Sequence, residues 1–131
     1  MNGKFSSAMV IDDNQIDLYI ASRLIVKQHF ADNILTYTSA ADALQYLIDH
    51  EDRPWTLPEI LFVDIYMPGM SGFEFMEAFD TLPAAVKQHC RAYIVSSTID
   101  ENDITRTERD PNVVAFQEKP INSAFLDRIN P

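Results

Sequence analysis

The sequence predicts an α/β protein built on one open five-stranded parallel sheet, a doubly wound (βα)5 arrangement with helices on both faces. Three observations predict it. Short apolar runs alternate five times with segments of helical period. The runs at 7–12, 59–64 and 91–97 are almost continuously apolar, as in strands covered by helices on both sides. The apolar runs give way to polar or charged residues at their ends, where open parallel sheets joined by right-handed crossovers place their sites.

Each element has its own justification. "SAMVID" (7–12) reads as a buried strand that stops at Asp12-Asp13. Residues 15–29 place Ile16, Tyr19, Ile20 and Leu24 near one face of a helix. "NILTYT" (33–38) is strand-like in its β-branched content. Ser39 can cap the next helix, 40–50, which turns Ala43, Leu44 and Leu47 inward. Two prolines and clustered polar residues make 51–58 a loop.

"EILFVD" (59–64) is the third strand, and Met-Pro-Gly-Met-Ser-Gly leads from it into a helix over about 73–80. "TLPAAVKQHC" (81–90) is a longer connection with room for one helical turn after Pro83. "RAYIVSS" (91–97) is strand four, 100–109 helix four and "NVVAFQE" (112–118) strand five. Lys119-Pro120 then precedes a short terminal helix, 122–130.

With 131 residues and 47% apolar content, the chain suits a single domain, 1–131, with a real core. Its 20 acidic and 10 basic residues give a formal charge of −10, which repels phosphate backbones and anionic membranes. Direct nucleic-acid or membrane partners are therefore not expected. The single cysteine, Cys90, excludes an intramolecular disulfide and any multi-cysteine zinc site, and reads as a core residue. No stretch has signal-peptide or membrane-span character, so the expected location is cytoplasmic.

The strand ends carry the chemistry. Asp12-Asp13, Asp64, Ser96-Ser97 and Lys119 each follow an apolar run, which brings three carboxylates, hydroxyls and one ammonium to one sheet edge. Carboxylates packed together resist ionisation unless a cation joins them. An all-oxygen set suits Mg²⁺, whereas His29, His50 and His89 lie at helix ends or in loops, in solvated or capping roles. Lys119 can offset charge and contact a phosphoryl oxygen. An aspartate so equipped can attack a phosphoryl group, giving an aspartyl phosphate.

Over essentially its whole length the chain resembles the receiver domain of two-component response regulators, of the chemotaxis-regulator type. The resemblance rests on "DD" at 12–13, "DIYMPGMSG" at 64–72, "SST" at 96–98 and "KP" at 119–120. It implies a flavodoxin-like three-layer fold and a signalling switch rather than a turnover enzyme. It implies Asp64 as phosphoacceptor, Asp13 as a direct Mg²⁺ ligand, Asp12 acting mainly through a metal-bound water, and the Tyr66 carbonyl as a further ligand. Ser96 matches the switch hydroxyl, Lys119 the lysine that pairs with the phosphoryl group, often in a cis bond to Pro120, and Phe116 the aromatic switch. Met67 and Met70 read as packing and turn residues, and Gly72 as serving the backbone geometry that starts helix three.

The partners this implies are a sensor histidine kinase or histidine phosphotransfer protein and a downstream protein target. The chain is then expected to be a stand-alone receiver or one excised from a longer protein. Plainer readings stand beside these: Asp12 or Asp13 as a helix cap, Ser96 as an ordinary strand-end serine, Phe116 as core. Two other functions compete. A Mg²⁺-dependent phosphatase of the main aspartate-nucleophile superfamily places its nucleophile in Asp-x-Asp after the first strand, whereas here that strand ends in adjacent aspartates. A pseudo-receiver used only for binding needs none of Asp12, Asp13, Asp64, Ser96 and Lys119.

Overall fold

A computed structural model describes residues 3–131. Along the chain run β1 (Phe5–Ile11), α1 (Gln15–Lys27), β2 (Ala31–Tyr37), α2 (Ala40–Asp49), a 3-10 turn (Pro54–Thr56) and β3 (Ile60–Val63). There follow α3 (Gly72–Asp80), α4 (Ala84–His89), β4 (Arg91–Ser96), α5 (Glu101–Arg109), β5 (Val113–Glu118) and α6 (Ser123–Asp127). The strands form one parallel sheet in the order β2-β1-β3-β4-β5. The direction of winding reverses between β1 and β3, the position at which sheets of this order form a crevice at their carboxyl ends.

Strand alternation divides the core in two. Met9, Ile11, Leu61, Val63, Ala92 and Ile94 face α2, α3 and α4, whereas Ala8, Val10, Ile60, Phe62, Tyr93 and Val95 face α1 and α6. Every second residue of each central strand enters the same cluster, as a period of two requires. Both faces being buried, these strands are apolar without interruption. Cys90 is buried in the first cluster, as its sequence context predicts.

On β5 the register slips between Ala92↔Val113 and Tyr93↔Ala115, leaving Val114 as an extra, exposed residue. That irregularity turns both Val113 and Phe116 toward the first cluster, although three positions separate them.

The α1 face expected from periodicity is corrected. Ile16 is 70% and Tyr19 65% exposed, and Ile20 is exposed too; the inward residues are Leu18, Ala21, Leu24 and Ile25. The helix carries two apolar stripes, and the one that continues the sheet-facing register is covered. The connection at 81–90 holds a six-residue helix, α4, begun by Pro83 and anchored by buried Val86. The terminal helix is shorter than expected, ending at Asp127, while Ile129 beyond it is still buried. Lys4 closes this end by donating from Nζ to the Leu126 and Ile129 carbonyls at 3.1 and 2.9 Å.

The start of α3 fixes the loop after β3. Ser71 caps the helix through a capping box, its hydroxyl accepting from the Glu74 N–H while the Glu74 carboxylate accepts from the Ser71 N–H. Gly69 takes a positive φ of 80° within the turn. At Gly72 the constraint is close approach: its N–H donates to the Ile65 carbonyl at 2.7 Å, and an added Cβ would lie 2.3 Å from the Asp64 carbonyl oxygen. Gly72→Ala is therefore expected to destabilise the fold by about 1–3 kcal/mol in urea denaturation, since the neighbour that must yield is backbone.

Candidate functional site

Two adjacent strands, β1 and β3, deliver three carboxylates to the crevice. The Asp12 N–H donates to the Tyr37 carbonyl and the Asp64 N–H to the Ile11 carbonyl, each at 3.0 Å, which prolongs the parallel ladder just past β1 and β3. Asp12 and Asp64 are buried, Asp64 only 7% exposed, while Asp13 stands exposed beside them. One carboxylate oxygen from each of the three lies within 4.8 Å of the others.

Lys119, at the end of β5, closes the group. Its backbone N–H donates to the Ser96 carbonyl at 2.8 Å, and its bond to Pro120 is cis. Its ammonium lies 2.6 Å from Asp12 Oδ2, 2.9 Å from Asp17 Oδ2 and 3.4 Å from Asp64 Oδ1. Ser96 is buried at the end of β4, its hydroxyl accepting from the Thr98 N–H at 3.2 Å. The strand-end pattern thus brings together Asp12, Asp13, Asp64 and Lys119, with Ser96 on the adjacent strand.

Asp17 is the member that the sequence reading missed. It lies in the first turn of α1, where Asn14 is the cap and accepts from the Ile16 and Asp17 N–H groups at 2.9 and 3.1 Å. Asp12 does not cap this helix but accepts from the Asn14 N–H at 2.9 Å, which ties the cap to the site. The only sequence signal for Asp17 was its position one helical step beyond the acidic pair.

Phe116 and Tyr66 lie further out. Phe116 is half-buried and packs against the α2/α3-side core. The Tyr66 side chain is exposed, and its hydroxyl donates to an Asp103 carboxylate oxygen on α5, a link across the rim that raises the phenol pKa. Nearby, Arg106 of α5 lies 4.1 Å from the Phe73 ring centroid and 3.6 Å from Glu77, joining α5 to α3. His50 and His89 make backbone contacts to the Tyr46 and Leu57 carbonyls, away from the acidic group.

Burial pushes the Asp64 carboxyl up to about 6; the Lys119 charge opposes the rise, and Asp12 and Asp13 add to it. Burial also works against the Lys119 ammonium, but hydrogen bonds to Asp12 and Asp17 and the Asp64 charge outweigh it and hold its pKa above the ordinary lysine value. A clustered acid held above its unfolded pKa favours folding while protonated, and that contribution is lost as pH rises through about 6. Asp64→Asn should therefore be more stable than wild type by about 1–3 kcal/mol at pH 7.5 without divalent cations, with the gap closing below roughly pH 4. Urea denaturation across this pH range checks it.

The fold has known counterparts. The model of the response regulator receiver domain family matches residues 8–129. A two-component response regulator from Cytophaga hutchinsonii superposes with a TM-score of 0.87 at 26% identity, covering 94% of this chain and 92% of that one. A response regulator receiver protein from Dyadobacter fermentans superposes with a TM-score of 0.82 at 29% identity, covering 92% and 91%. The CheX-CheY-BeF3-Mg complex from Borrelia burgdorferi matches with a TM-score of 0.71 at 17% identity, covering 91% and 81%, a likeness of fold alone. No curated protein matches. A five-stranded parallel sheet carrying this acidic crevice, with a family match across nearly all of its length, places the chain in the response regulator receiver domain family.

Proposed function

We propose that the chain is a phosphoacceptor switch in which Asp64 takes a phosphoryl group from a histidine kinase or phosphotransfer protein and a protein partner reads the result. The observation that carries this reading is the setting of Asp64: a buried carboxylate at the end of a central strand, grouped with Asp12 and Asp13 and 3.4 Å from one ammonium. Support for protein rather than membrane partners comes from the −10 charge; among the described residues no helix is long and apolar enough to cross a membrane. A cytoplasmic site of action fits a kinase donor.

The donor set fits Mg²⁺. Three carboxylates offer hard oxygen ligands around one point, and the Lys119 charge leaves them in excess. Asp13 and Asp64 would hold the ion directly with the Tyr66 carbonyl, and Asp12 through water. When bound, Mg²⁺ supplies neutralisation of charge on the phosphoryl oxygens. The magnesium and BeF3 named with the Borrelia burgdorferi CheY support the same ligand chemistry.

The chain's own residues then have defined tasks. An Asp64 oxygen attacks phosphorus, forming a P–O bond as the P–N bond to a donor phosphohistidine breaks, and the departing imidazole nitrogen takes up a proton. Lys119, already beside Asp64, pairs with a phosphoryl oxygen. The Ser96 O–H is a donor on the neighbouring strand, and its turn toward the phosphoryl group would open space for Phe116 to move inward. Asp64 is modified once per cycle and restored by hydrolysis, so the chain assists its own phosphorylation without turning over a separate substrate.

Incubation with acetyl phosphate and Mg²⁺, followed by intact-mass measurement, tests this reading. One base-labile phosphoryl group is expected on wild type and none with a chelator present or in Asp64→Ala. An unmodified wild type, or equal modification of the variant, would overturn it.

A further inference from the structure

Asp17 brings to the site a carboxylate that the strand ends do not supply. Its position is set by α1: Asn14 caps the helix and in turn is held by Asp12, so the first turn cannot rotate without disturbing the acidic group. From there Asp17 Oδ2 reaches the Lys119 Nζ at 2.9 Å.

The Lys119 ammonium faces three carboxylates and donates a hydrogen bond to that of Asp17. Asp12 at 2.6 Å and Asp17 at 2.9 Å hold it closely, and the contact to Asp64 is the longest, at 3.4 Å. The lysine side chain is 13% exposed and Asp17 37%, so the pair is only partly screened by water. Asp17, Asp64 and Lys119 all line one narrow cleft between α1 and the Pro120 segment.

We propose that Asp17 is a positioning residue that draws the Lys119 ammonium away from Asp64, setting how the site divides its attraction between a cation and an incoming phosphoryl group. Lys119 must turn toward the phosphoryl oxygens when Asp64 is modified, and Asp17 competes for it. The Asp17 charge also adds to the negative potential that draws in a divalent cation. Removing that charge while keeping the side chain's shape therefore moves two properties in opposite directions: the cation is held less tightly, and the anionic phosphoryl group meets a freer ammonium. A side chain that merely supported the fold would move both the same way or neither.

The inference rests on the reading of Asp64 as phosphoacceptor, and its test separates the two. Asp17→Asn and Asp17→Glu are compared with wild type in Mg²⁺ affinity, read from Asp13 and Asp64 amide shifts by NMR. They are also compared in the rate of modification by acetyl phosphate at Mg²⁺ saturating for each. Asp17→Asn is expected to weaken Mg²⁺ binding and to speed modification, each by about three- to tenfold, with Asp17→Glu returning toward wild type in both. Unchanged values in Asp17→Asn, or both falling together, would overturn the role given to Asp17. A wild type that binds Mg²⁺ but is never modified would overturn the phosphoacceptor reading instead, and the Mg²⁺ arm alone would then decide on Asp17, an unchanged affinity overturning its role.

Discussion

One ammonium holds the acidic crevice together. Asp12 and Asp64 are buried, and Asp13 adds its charge at the rim; without a counter-charge such a group resists ionisation. Lys119 provides that counter-charge from the far edge of the sheet, through contacts to Asp12, Asp17 and Asp64. The cost of burying these ions is met only because each finds a partner. The same imbalance, with more carboxylate than ammonium, leaves the site an excess of negative charge that a divalent cation can satisfy. Stability and chemistry thus pull on the same side chains, and Asp64, held up to about 6 by burial, bears the conflict most directly.

The site is wired outward by a few contacts rather than by the whole surface. Ser96 lies beside Asp64 in the sheet, its carbonyl accepting from the Lys119 N–H, so β4 and β5 are joined just below the ammonium. Phe116, three residues before Lys119 on β5, faces the core on the α2/α3 side because the bulge at Val114 turns it there. Across the rim, Tyr66 reaches Asp103, and Arg106 clasps Phe73 and Glu77. These contacts gather on α5, whose only buried residue is Thr107. Little burial therefore holds this helix in place.

Much of the fold was legible because its central strands obey a strict rule: β1, β3 and β4, covered on both faces, read as near-continuous apolar runs and end at polar residues. That rule located Asp12, Asp64 and Ser96 from the sequence, and Lys119 was found at the end of the more exposed edge strand β5. It failed where two patterns competed. Residues 15–29 carry two apolar stripes, and periodicity alone could not tell that Leu18, Ala21 and Ile25 meet the sheet while Ile16 and Tyr19 face solvent. The helix Ala84–His89 has one buried residue, Val86, too little to register as a periodic face. Asp17 was missed for another reason: it lies on a helix, not at a strand end, and only the turn set by Asn14 brings it to Lys119.

The central claim, that the crevice exists to place a phosphoryl group on Asp64 and on no other carboxylate, is tested most directly by chemical trapping. Reduction of the modified protein with borohydride converts an aspartyl phosphate to homoserine, which peptide mass spectrometry assigns to a position. Homoserine at position 64 alone is the result this account predicts. Homoserine at position 12, 13 or 17, or at no position in protein that has gained a phosphoryl group, would contradict it.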